Sequence, residues 1–304
     1  MYKRILVPLD GSALAESVLP VAAFFAETAK AQILLLHVLE RDAPNTIHGD
    51  RHLRAADEAE AYLKNITRTA FAEGTDVARH VHGEAVTHVA GSLAGHASEF
   101  APDLVLLCAH GDGAWRDTLY GNIAQQVVDL GKTPVLLIRN SGDGKLIFPY
   151  RRILVPIDGK PSHEAGLPGA TDLAELCKAE LRLLMVVPTL STLTGNEAAT
   201  GSMLPGSTRA VLDLAQERAV EHLGECVAPL RERGVSVSAC VARGDPLERI
   251  EGEFHRCDAD LVVLATHGKA GLKAFWAGSL ASKLLKRIPV SFLLVPAQNS
   301  PVPQ

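Results

Sequence analysis

"RILVPLDGS" at residues 4–12 returns as "RILVPIDGK" at residues 152–160, an offset of 148. Four further blocks return in the same order. "AQILLLHV" (31–38) matches "AELRLLMV" (179–186), and "HVHGEA" (80–85) matches "CVARGDP" (240–246) around Gly83 and Gly244. "DLVLLCAHG" (103–111) matches "DLVVLATHG" (260–268), and "TPVLLIR" (133–139) matches "IPVSFLLVP" (288–296). Five long blocks in one order indicate two duplicated domains rather than short solenoid repeats.

Each copy alternates short Val/Ile/Leu runs with longer stretches of helical periodicity. In the first copy the expected strands are 4–9, 31–39, 76–82, 103–109 and 134–138. The expected helices are 12–29, 50–73, 85–99 and 121–131. The runs at 103–109 and 260–266 are apolar on both faces, as central parallel strands covered from both sides must be. Alternating strands and helices imply right-handed βαβ units and an open doubly wound sheet. The predicted class is α/β, with two tandem flavodoxin-like domains. Each is a five-stranded parallel sheet of order 3-2-1-4-5 sandwiched by helices. The expected boundaries are 1–140 for the first domain, 141–150 for a Gly- and Pro-bearing linker, 151–298 for the second domain and 299–304 for a tail. Residues 188–207, low in charge and rich in Gly, Ser and Thr, are read as a loop at the carboxyl edge of the second sheet.

Composition bounds the function. The 304 residues are 47% hydrophobic and 21% charged, with a formal net charge of −5 and a pI near 6.2, which disfavours a general nucleic-acid binder. The five cysteines contain no C-x-x-C pair, so a zinc ribbon or disulfide framework is not expected and a reducing compartment fits. No run approaches the ~20 apolar residues of a membrane span, and the start of the chain enters a strand rather than a secretory apolar stretch. The expected location is the cytoplasm.

In a doubly wound sheet the carboxyl ends of the first and fourth strands flank the ligand crevice. In the second copy they deliver Pro156, Asp158 and Gly159 from one side and Ala265, His267 and Gly268 from the other. A helix is expected to begin near Gly278 and Ser279, where free N–H groups and the positive dipole end favour an anion. Ser279 adds a hydroxyl and Lys269 a cation. Residues 265–287 carry five Lys/Arg and no Asp or Glu, whereas 108–130 carry three acids and one Arg. Phosphate is therefore expected in the second copy more than in the first. Neither G-x-x-x-x-G-K-[ST] nor G-x-G-x-x-G occurs, which excludes the P-loop and Rossmann patterns.

These blocks, together with H-G-x9-G-[S/N] at His110–Gly111–Gly121–Asn122 and His267–Gly268–Gly278–Ser279, resemble the universal stress protein family in its tandem form. The resemblance covers all but the linker, the 188–207 loop and the tail. It implies HUP-type domains and an adenine nucleotide site, for ATP or AMP, with Mg²⁺ as the ion that accompanies ATP. By carry-over, Asp158 faces the nucleoside, the Val186 backbone meets adenine, and Gly268, Gly278, Ser279 and Leu280 hold phosphates, with Gly244 following the third strand. The corresponding group in the first copy is Asp10, Val38, Gly83, Gly111, Gly121, Asn122 and Ile123. The family's G-x2-G-x9-G-[S/T] is broken by Ala265 in the second copy, and by Cys108 and Asn122 in the first. The resemblance also implies that the last strands of the two copies pair edge to edge within one chain, and that the chain itself forms a homodimer.

For hydrolysis the sequence offers no general base beyond His267, so a regulatory binder is preferred to an enzyme, with slow ATP hydrolysis as the rival. A ligand-free structural stress protein is the third reading. It is joined to a metal reading of the first copy, in which His37, His82 and His110 fall near strand ends as imidazole ligands and His80 shares a strand face with His82. Cys108 at the crevice is a candidate redox thiol.

Overall fold

The computed structural model describes residues 2–47, 49–109, 126–128, 132–140, 146–267 and 280–297. Two compact units emerge. Among the described residues, the first runs to Pro149 and takes in His267 and Val290 to Ala297, and the second takes 150–266 and 280–289.

In the first unit the strands are β1 (Arg4–Pro8), β2 (Gln32–Glu40), the short hairpin β3 (Thr46–Ile47) and β4 (Asp50–Arg51), β5 (Val77–Val86), β6 (Leu104–Cys108) and β7 (Val135–Ile138). The sheet order is β5-β2-β1-β6-β7, the predicted 3-2-1-4-5, and all these pairings are parallel. The register sets Ile5 beside Ile33 and Leu104, and Val105 beside Val135. Leu6, Ile33, Leu104, Leu106 and Leu136 are fully buried, so apolar burial on both faces drives the middle of the sheet. The chain's last described strand, β12 (Ser291–Ala297), lies antiparallel on β7, with Phe292 opposite Leu137, and so covers an otherwise bare apolar edge.

The second unit repeats the order as β10-β9-β8-β11. These strands are β8 (Arg152–Ile157), β9 (Glu180–Val187), β10 (Val237–Arg243) and β11 (Leu261–His267). One anchoring acid is common to both units. Asp103 accepts the backbone N–H groups of Lys3 and Arg4, and Asp260 accepts those of Arg151 and Arg152, so each "DLV" block anchors the start of its neighbouring strand.

The helices refine the sequence reading. Residues 12–29 form two helices, α1 (Ala13–Glu16) and α2 (Leu19–Thr28), because Pro20 supplies no N–H and can sit only in a first turn. The helix expected over 50–73 is shorter, α3 (Ala56–Ala70), since β3 and β4 take the preceding residues; α4 (Val89–Phe100) follows β5. Of the helix expected at 121–131, residues 126–128 are described and helical.

The second unit holds α5 (Gly166–Cys177), α6 (Gly195–Met203), α7 (Pro205–Glu232), α8 (Pro246–Cys257) and α9 (Leu280–Arg287). The expected loop at 188–207 is thus mostly helical. Thr189 and Thr192 bond each other's backbone and side chains in a turn, α6 follows, and Pro205 opens α7. Small residues weaken intrinsic helix preference, yet Gly201 lets Leu190 and Leu193 pack close to α6, and packing overrides propensity. Among the described residues no helix is long and apolar enough to cross a membrane.

Candidate functional site

At the carboxyl end of β1, Asp10 accepts from the Ser12 backbone N–H at 2.9 Å and from the Ser12 hydroxyl at 2.6 Å. Ser12 also caps α1 by accepting from Ala15 N–H, so the aspartate is tied to a helix start. The hairpin β3–β4 folds over this mouth. Asp50 accepts the Ala13 N–H at 2.8 Å, and His52 and Leu53, which follow, are buried. Gly11 turns with φ +91°, and a Cβ there would stand 2.8 Å from Leu53 Cγ. Among the described residues, Leu53 therefore packs directly on the turn that follows β1.

His37 is buried beside it and donates Nδ1–H to the Leu9 carbonyl at 2.7 Å. Burial pushes its pKa down, with nearby His52 adding to the shift and the Leu9 bond opposing it. Val38 is buried, and Gly83 is exposed on β5. Burial pushes the Cys108 thiol up to about 12, and Asp10 adds to that rise, so this sulfur is a poor nucleophile and the redox reading loses its basis. All five cysteines are free.

The second crevice is built from the same positions with different side chains. Asp158 is exposed, accepts the Lys160 N–H at 3.1 Å, and pairs with His163 Nδ1 at 2.6 Å and with Lys160 Nζ at 3.6 Å. Lys160 stands where the first copy has Ser12, and Met185 where it has His37. Gly159, at φ +78°, has only Met185 Cε at 3.8 Å and His222 Cδ2 at 3.9 Å near the place of a Cβ. Among the described residues, no segment equivalent to Leu53 presses on it. Pro156 and Val186 are half-buried at their strand ends, and Ala265 is half-buried on β11. Gly244 is buried at φ +141°, where a Cβ would stand 2.5 Å from Arg249 Nε, and its N–H donates to the Val187 carbonyl. This glycine serves close packing at the end of β10. His267 ends β11, and Leu280, more than one-third exposed, opens α9.

The structure brings Pro156, Asp158, Val186 and Gly244 to the carboxyl ends of adjacent strands in the second unit, with Ala265 and His267 at the end of β11. Gly268, Lys269, Gly278 and Ser279 lie outside the described residues, as do His110, Gly111, Gly121, Asn122 and Ile123. The imidazole grouping differs from the predicted one. His82 gathers with His80 and His96 rather than with His37, because His82 and His37 belong to different layers of contact and His37 is committed to Leu9. Sequence spacing could pair His80 with His82 on alternate strand positions, but His96 arrives from α4 and only the fold supplies it.

Two polar contacts were not legible beforehand. Glu164 binds His222 of α7, and at the equivalent place Glu16 accepts from the Tyr62 hydroxyl of α3 at 3.0 Å. Each repeat thus ties a helix to the loop after its first strand through one glutamate.

The model of the universal stress protein family matches residues 1–139 and again 149–296. Universal stress protein Rv2005c of Mycobacterium tuberculosis is 31% identical over 195 residues, 62% of this chain and 60% of that protein. Universal stress protein MJ0531 of Methanocaldococcus jannaschii is 28% identical over 146 residues, 48% of this chain and 82% of that protein. In fold, the chain is similar to a universal stress protein from Archaeoglobus fulgidus, with a TM-score of 0.68 at 17% identity, covering 97% of this chain and 98% of that one. The duplicated sequence, the duplicated sheet order and the two matched segments agree: the chain belongs to the universal stress protein family and carries two copies of its fold.

Proposed function

We propose that the second repeat binds an adenine nucleotide, ATP or AMP, and that the first repeat does not. The observation that carries this reading is the contrast between the two crevices: Leu53 and His52 fill the first, while Asp158 and Gly159 stand open in the second. Asp158 is suited to accept from ribose hydroxyls, and the half-buried Val186 backbone to meet the base edge. Gly268, Gly278, Ser279 and Lys269 are the residues proposed to hold phosphates, with Mg²⁺ accompanying ATP. The protein acts in the cytoplasm as a regulatory binder, nucleotide occupancy altering an interaction surface or a homodimer.

The test is equilibrium binding of ATP to Asp158→Ala, Gly278→Val and Asp10→Ala variants of the full chain. Losing a hydrogen bond between a charged group and ligand removes about 1.5–3 kcal/mol, so Asp158→Ala and Gly278→Val are expected to weaken binding by at least about tenfold. Asp10→Ala leaves it unchanged. Equal affinity in all three variants contradicts the placement. Sustained phosphate release from Mg-ATP would favour the rival reading of a slow ATPase.

A further inference from the structure

The two units carry the same cleft at the amino ends of their first three strands. In the second unit, about 270 Å³ in volume, it is lined by Arg152, Glu180, Arg182, Ser238, Glu253 and Cys257, and in the first, about 260 Å³, by Arg4, Gln32, Leu34, Ala78, His80 and Phe100 among others. These positions correspond through the strand registers, in which Leu184 faces Cys240 as Leu36 faces His80, and Val186 faces Ala242 as Val38 faces His82. On the helices, Glu253 of α8 stands where α4 has His96.

The second unit fills this place with a closed ion-pair network. Glu253, fully buried, takes Arg182 Nε at 2.7 Å on one oxygen and Arg256 Nη2 at 2.6 Å on the other. The first unit has lost every member of that network. Leu34 replaces Arg182, Glu99 replaces Arg256, and three imidazoles converge instead: His80 and His82 from one face of β5 and His96 from α4. One nitrogen from each lies within 4.8 Å of the other two.

The hydrogen bonds fix which nitrogens face inward. Glu99 Oε2 lies 3.3 Å from His96 Nδ1, and a carboxylate can only accept, so Nδ1 carries the hydrogen. Its Nε2 stands 3.0 Å from His82 Nδ1, the two nitrogens sharing a hydrogen bond. Phe100 stacks on His96 at a centroid distance of 5.5 Å and meets His80 edge-on at 5.3 Å, holding both rings in place.

We propose that His80, His82 and His96 form a site for a divalent transition metal, with Zn²⁺ as the natural probe. Three imidazoles with a fourth position open are a recognised zinc donor set. A ligand histidine that gives its other N–H to a carboxylate is the usual supporting arrangement, and Glu99 supplies it. Around a tetrahedral ion with bonds of about 2.0–2.1 Å, neighbouring nitrogens sit roughly 3.3 Å apart. The His96–His82 distance therefore needs to open by only a few tenths of an ångström. Binding replaces the hydrogen between the two rings, with His96 Nε2 and His82 Nδ1 both turned to the metal. The other grouping of donors, Glu164, His222 and Cys226, repeats the Glu16–Tyr62 contact of the first unit and has a structural role without any ion.

The test uses the full chain, stripped with chelator and dialysed against low-micromolar ZnCl₂, with bound zinc counted per chain and Co²⁺ absorption reporting the geometry. One zinc per chain is expected in the wild type and in a His222→Asn/Cys226→Ser variant. A His80→Asn/His82→Asn variant, checked as folded by its unchanged circular dichroism, is expected to hold none. Glu99→Gln is expected to weaken zinc about 10- to 100-fold while retaining the site. Zinc absent from the wild type, retained by the folded His80/His82 variant, or lost only from the His222/Cys226 variant would overturn the proposal.

Discussion

Gly11 and Gly159 occupy the same turn in the two repeats, both at positive φ, yet their surroundings differ. At Gly11 an added methyl meets both backbone strain and Leu53 at 2.8 Å, whereas at Gly159 it meets strain alone. Gly11→Ala is expected to cost about 1–3 kcal/mol from strain with the Leu53 clash added, and Gly159→Ala only the strain. Urea unfolding midpoints read this order, and a larger loss at Gly159 contradicts it. His37 gives a pH effect with a definite sign. Its folded pKa lies below the ordinary 6.5, so the unfolded chain takes up the proton first as pH falls. The neutral ring costs nothing above about pH 6.5, and stability is lost below it, down through the folded value. The facing groups are His52, Asp10 and the carbonyl of Leu9. Met stands at this position in the second repeat, so His37→Met is expected to lose less stability than wild type between pH 7.5 and 5.5. Parallel losses in the two proteins would show that His37 is not responsible. Cys108, raised to about 12, is expected to resist iodoacetamide at pH 8 until the chain is unfolded, and rapid alkylation of folded protein contradicts that.

At the scale of elements, each unit depends on an aspartate that holds the start of its first strand. Replacing Asp103 or Asp260 by Ala leaves two backbone N–H groups without their acceptor. The expected cost is about 1–3 kcal/mol per group left buried, larger at Asp260, which is buried, than at Asp103, whose bonds are exposed. Thermal unfolding of the two variants measures the difference. The elements themselves were well foreshadowed by sequence, because buried parallel strands write themselves as unbroken Val/Ile/Leu runs. Two departures have local causes. Pro20 divides α1 from α2, and the Gly/Ser/Thr segment at 195–203 is helical since Leu190 and Leu193 need Gly201 to pack. The hairpin β3–β4 escaped the pattern: its strands are two residues each, too short for any period to appear, and its effect on the crevice is made by Leu53 across a long sequence separation.

For the molecule as a whole, duplication let the two copies diverge. Leu53 packs on the turn after the first strand in the first repeat, while among the described residues the matching turn of the second is exposed; the amino-end cleft holds ion pairs in the second repeat and histidines in the first. The repeat, the strand order and the open aspartate were legible in the sequence, because each is written in contiguous residues. The closure by His52 and Leu53, and the joining of His96 to His80 and His82, were not, since each depends on contacts between elements. One nucleotide is expected to bind per chain, in the second repeat. Native mass spectrometry of the full chain titrated with ATP tests it most directly. One nucleotide per chain, lost in Asp158→Ala and kept in Asp10→Ala, is the predicted result. Two per chain, or loss on changing Asp10 instead, would contradict it.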